Sequence, residues 1–119
     1  MAEVHHIHRS SWANPTVEAD VWRGLFQGGA LGANISLVFT STPLIGEGPR
    51  LHQHPYTETF IVRAGNMRFT IGDRVIDAVA GDILVAPPNT PHKFLNLGPG
   101  PMESIDIHEA GAFETVWLE

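Results

Sequence analysis

Two histidines and a glutamate within a β-prone stretch restrict this chain more than any other part of its sequence. From Gly46 the chain runs five residues to His52, one to His54, three to Glu58 and six to Gly65. Side chains alternate across a strand, so His52 and His54 share one face. Pro55 can begin a turn after which Glu58 returns on the next strand at the same level. Two imidazoles and a carboxylate converging in this way suit a divalent transition metal that keeps coordination positions open. The stretch reads as a set of metal ligands.

Length and composition bound what can surround that set. A chain of 119 residues is one domain with room for one hydrophobic core. Hydrophobic residues at 43% and charged ones at 17% are globular values. A net charge of −6, with a sequence pI near 5.5, makes neither nucleic acid nor an anionic membrane surface an expected partner. No apolar run approaches the ~20 residues of a membrane helix. Residues 1–10 carry three histidines and no apolar core, so a secretory signal is not expected there. Without cysteine there is neither a disulfide framework nor thiolate chemistry, and a cytoplasmic location is the expectation. Residues 1–20 read as a terminal segment, loosely held or pairing with a partner. Its histidines, His5, His6 and His8, read as solvent-exposed, a second metal site being the alternative.

Further along, the signal is β almost throughout. Strands are expected at 21–26, 34–40, 50–54, 58–64, 67–71, 74–78, 83–86, 92–97 and 102–108. Gly72-Asp73 suits a tight hairpin, and Pro87, Pro88 and Pro91 stiffen a loop before His92. Short strands at such close spacing argue for an all-β sandwich or barrel over residues 21–119. The tail beyond Glu109 reads as either a turn or an extended strand.

A second motif starts at Gly81, runs five residues to Pro87, and continues through Asn89 and His92 to Asn96. With residues 46–65 it resembles the paired motifs of the cupin superfamily, here in a compact, single-domain form. Every defining position agrees except Asn89, where the family usually has glycine. Asn tolerates the left-handed backbone better than other side chains, so the turn should survive. The resemblance implies a double-stranded β-helix, or jelly roll, with metal ligands His52, His54, Glu58 and His92. Four ligands would leave about two octahedral positions open, and the donor set accepts Fe, Mn, Ni, Co, Cu or Zn. It also implies a homodimer, which would cover Trp22, Leu25, Phe26, Trp117 and Leu118.

Alternation extends the site into a pocket. Phe60 and Val62 share a face with Glu58, Phe94 with His92, and Met67 and Phe69 form the apolar set of the next hairpin. Core packing accounts for most of these, with Phe60 and Phe94 nearest the metal. Three further residues are candidates for catalysis. Arg50 precedes His52 by two and is either a carboxylate-binding fork or a solvated cation. Tyr56 lies in the turn between ligands. His108 is an acid–base candidate if the polar face of its strand, shared with Asp106, points inward. The expected function is a metal-dependent enzyme of dioxygenase, isomerase or decarboxylase type acting on a small organic molecule. A small-molecule sensing or binding protein without catalysis is the alternative, and a purely structural metal comes third.

Overall fold

The computed structural model describes residues 3–119. One helical turn, α1 (Arg9–Trp12), precedes the strands β1 (Gly24–Gln27), β2 (Ser36–Thr42), β3 (His52–Gln53), β4 (Glu58–Ala64) and β5 (Asn66–Ile71). They continue as β6 (Arg74–Val79), β7 (Ile83–Ala86), β8 (His92–Asn96), β9 (Met102–His108) and β10 (Val116–Trp117). Two five-stranded antiparallel sheets result, in the orders β1-β2-β9-β4-β7 and β10-β3-β8-β5-β6. The fold is all-β, a jelly roll.

The two sheets face each other, but they fill the space between them unevenly. Around β4, β5 and β7 it is packed: Phe60, Val62, Met67, Phe69 and Met102 are fully buried, with Leu84, Ala86 and Phe94 against them. The rings of Phe60 and Phe69 lie 5.0 Å apart and those of Phe69 and Phe94 5.4 Å. Toward β1, β2, β3 and β10 the sheets stand apart and enclose a cavity of about 850 Å³.

Turn chemistry sets these registers. Gly72 and Asp73 close the β5–β6 hairpin as a two-residue turn, pairing Ile71 with Arg74. Gly65 turns the chain at φ 81 between β4 and β5. Gly48 is needed for a different reason, since a Cβ there would collide with the Phe94 carbonyl of β8.

The strand that carries the first two histidines is shorter than the sequence expectation, and the tail takes the extended of its two expected forms. The strand expected at 50–54 shrinks to His52–Gln53, because flanking prolines at 49 and 55 offer no N–H to a ladder. The tail supplies its neighbour: Val116 and Trp117 of β10 pair with Gln53 and His52.

At the other terminus, Ala13 bridges to Gly24 and the Arg9 guanidinium donates to the Val21 carbonyl at 2.6 Å. Trp12 stacks on Phe39 with ring centroids 4.0 Å apart, and Trp22 meets the same ring edge-on. Phe39 lies on the outer face of β2 and is buried by this cover. His5, His6 and His8 are exposed.

Candidate metal centre

Each ligand candidate is placed by a different piece of the fold. β3 carries His52 directly opposite His92 of β8. β4 begins at Glu58, directly opposite His108 of β9. His54 follows β3, and its carbonyl is held by the Asn89 N–H at 2.7 Å. Asn89 adopts φ 57, the left-handed conformation expected where glycine is usual. One donor atom from each of His52, His54, Glu58 and His92 lies within 4.8 Å of the others, and all four residues are buried.

Hydrogen bonds decide which imidazole nitrogens face that point. Nδ1 of His52 bonds the Arg50 carbonyl at 2.6 Å, Nδ1 of His54 the Glu114 carbonyl at 2.8 Å, and Nδ1 of His92 the Thr90 carbonyl at 2.9 Å. A carbonyl only accepts, so each Nδ1 carries the hydrogen and each neutral ring offers an Nε2 lone pair to the interior. Nε2 of His54 is buried without a hydrogen-bond partner, although Glu58 Oε1 lies only 3.0 Å away. Nε2 of His92 lies 3.1 Å from the same oxygen. Lone pairs crowded round a carboxylate repel one another unless a cation or proton lies between them. The donor set therefore fits a divalent metal.

Ionisation follows the same geometry. Burial would raise the Glu58 carboxyl, but the imidazoles of His108, His54 and His92 around it outweigh burial and hold it well below the usual carboxylate range. Burial pushes the His52 imidazole down, which keeps it neutral.

His108 differs from the other three histidines. Its Nε2 lies 3.2 Å from Glu58 Oε2, and its Nδ1 lies 2.7 Å from the Tyr56 hydroxyl. Facing an ionised carboxylate, Nε2 must donate, so Nδ1 accepts the Tyr56 proton. The polar face of β9 is thus the inner one: Met102, Ser104, Asp106 and His108 are buried, alternating with half-buried neighbours.

Of the other sequence candidates, Arg50 is placed elsewhere. Its guanidinium lies outside, 5.2 Å from the Trp117 ring centroid, and only its carbonyl meets the site. The chain is not in a strand at Arg50, so alternation from His52 does not carry back to it. Phe60, Val62, Met67 and Phe69 belong to the packed core, and Phe94 alone of the expected pocket set lines the cavity. Phe60 still packs edge-on against His92, centroids 5.7 Å apart.

The cavity wall comes instead from Leu25, Val38, Met102, Phe113 and Trp117, with Asp106 among them. Burial pushes the Asp106 carboxyl up to about 7, assisted by the charge of Glu58, while Ser104 and Thr40 donate to it at 2.8 and 2.9 Å. Asp106 was legible by parity with His108, two residues on. Phe113 and the Glu114 carbonyl were not, since the tail has no periodicity.

A family model described as Cupin domain matches residues 42–108. No curated protein matches the sequence. Among solved structures the chain is similar to Bacillus subtilis oxalate decarboxylase in work on its Mn(II) centres. There the TM-score is 0.73 at 21% identity, over 80% of this chain and 27% of that one. A second structure of that enzyme, from work on its substrate binding mode, gives TM-score 0.73, 21% identity and the same coverage. The match thus spans about a quarter of the decarboxylase chain. Among the described residues no helix is long and apolar enough to cross a membrane.

Proposed function

Since this chain belongs to the cupin family, we infer that it is a metal-dependent enzyme acting on a small organic molecule held in its cavity. The observation that carries this reading is the junction of the two features. Four converging donors stand at the wall of an open cavity, and His52, His54 and Glu58 line it themselves. A purely structural site would be closed on all sides.

His52, His54, Glu58 and His92 would hold the ion. A bound divalent metal would supply Lewis acidity and, if redox-active, dioxygen chemistry. Manganese is the first metal to test, because the similar oxalate decarboxylase is described with Mn(II) centres. His108 positions Glu58 by donating to Oε2, and Tyr56 fixes the tautomer that lets it do so. The apolar wall of Leu25, Val38, Phe94, Met102 and Trp117 excludes water from one side of the substrate. Oxygen-dependent cleavage, isomerisation and decarboxylation are the reaction classes this arrangement serves, and a homodimer in the cytoplasm is part of the same proposal.

Elemental analysis of protein purified without a tag tests the site. The wild type should retain about one divalent ion per chain and His52→Ala none, although His5, His6 and His8 remain in both. Equal retention by the two proteins would sink the reading. Oxygen uptake and product analysis with each metal restored then separate turnover from binding alone.

A further inference from the structure

Resting on the metal-site reading, we propose that the cavity selects an elongated, non-anionic molecule. Such a molecule carries a metal-binding oxygen at one end and a hydrogen-bond donor, facing Glu47, at the other. The inference comes from how charge and length are distributed along the wall.

β2 and β9 run the length of the cavity in register, from Ser36 opposite His108 to Thr42 opposite Met102. Six residues of strand separate those rows, or ~20 Å between backbone positions. The ligand cluster lies at the His108 end. At the Thr42 end stands Glu47, whose carboxylate accepts from the Thr42 hydroxyl. The loop that carries it is fixed to β8. Gly46 N–H donates to the Asn96 carbonyl at 2.7 Å, and Asn96 N–H donates to the Glu47 carbonyl at 2.9 Å. Val38, Thr40, Phe94 and Asp106 line the wall between the two ends, and Met102 stands at the far one.

Among the described residues, no arginine or lysine lines this space, and the ionisable groups other than histidine are Glu47, Glu58 and Asp106. Arg50, the nearest sequence candidate for an anion-binding cation, sits outside over Trp117. A dicarboxylate bound to the metal by one end would leave its second carboxylate against apolar side chains, Asp106 or Glu47, with no counter-charge. A hydroxyl or ammonium group at that position would find an acceptor already held in place. The cavity therefore discriminates by a repulsive group at its far end as much as by an attractive one.

Calorimetry on the full chain carrying one zinc ion, under anaerobic conditions, tests this with a matched series. Catechols carrying a linear ten-carbon arm that ends in methyl, ammonium or carboxylate share a metal-chelating head, reach the Thr42 end and differ in the charge of the far end. The methyl- and ammonium-ended catechols should bind about tenfold more tightly than the carboxylate-ended one. Glu47→Gln should reduce the gap between the ammonium- and carboxylate-ended catechols by about threefold, because the interaction is partly solvent-screened. Thr42→Val, which frees the Glu47 carboxylate, should move the gap in the same direction by less.

The carboxylate-ended catechol binding as tightly as the methyl-ended one would overturn the inference while leaving the metal site standing. So would a zinc-loaded protein that binds none of the series. An unchanged gap in Glu47→Gln would remove Glu47 from it. Zinc uptake equal in wild type and His52→Ala would instead remove the metal-site reading, and this inference with it.

Discussion

Asp106 sits in the cavity wall with both carboxylate oxygens bonded to hydroxyls. Its carboxyl is pushed up to about 7 in the fold, against ~3.9 in an unfolded chain. The folded state therefore keeps a proton that the unfolded state has lost between those values. Stability of the metal-free protein should fall as pH rises from about 4 to about 7, by up to ~1.4 kcal/mol per unit. Urea midpoints across that window should flatten in Asp106→Asn, and a variant with the wild-type slope would refute the assignment. His108 gives a second residue-level expectation. Its replacement by Leu should weaken metal binding by about 10–100-fold, with Gln, which can still donate to Glu58, recovering part of the loss. Competition with a chelator measures both. Asn89 at φ 57 should accept Gly at little cost, whereas Val there should cost ~1–2 kcal/mol by thermal denaturation. At this scale the sequence was most readable where residues sat in true strands. His52, Glu58 and His92 could be placed by parity, and so could Asp106 from His108. Arg50 could not, because the chain leaves the strand before it.

Each strand of the pair β4 and β9 presents its inner residues to a different environment. On β4, Phe60 and Val62 face the packed side; on β9, Asp106 and His108 face the open one. Removing bulk from the two sides should therefore have unequal effects. Phe60→Ala should cost ~3–5 kcal/mol, as a fully buried ring. Val38→Ala, on the cavity wall, should cost less than about 1 kcal/mol, because the lost contacts border open space. Equal losses in urea titrations would contradict the division of the barrel into a filled half and an open half. The division also explains why, of the inward-facing residues read from the sequence, only Phe94 lines the cavity while the others pack as core. Alternation tells which residues point inward, but not whether the opposing sheet comes close enough to touch them. That depends on strand order, and β1, β2, β3 and β10 lie on the open side only once the sheets are assembled. The strand pattern over 58–108 was legible because Gly and Pro punctuate it sharply. The last strand was not, since two residues held by pairing alone leave no periodic trace.

For the molecule as a whole, exposed Leu25, Trp117 and Leu118, with the edge of Trp22, are the surface the proposed dimer would cover. Light scattering at micromolar concentration should give twice the chain mass of 13.0 kDa. Stripping the metal should lower the melting temperature, since an ion at a hundred times its Kd stabilises the folded chain by roughly 2.7 kcal/mol. The same chemistry reaches the far end of the polypeptide. The Glu114 carbonyl receives the His54 Nδ1 proton, and Leu118 N–H donates to the Leu51 carbonyl at 2.9 Å, on either side of the β10–β3 pairing. The tail holds one nitrogen of this ring, and in the proposed site the ion would hold the other. By thermodynamic reciprocity, whatever steadies one must steady the other. Loading the ion should slow hydrogen–deuterium exchange at Leu118, and clipping the chain after Phe113 should shorten the ion's residence time.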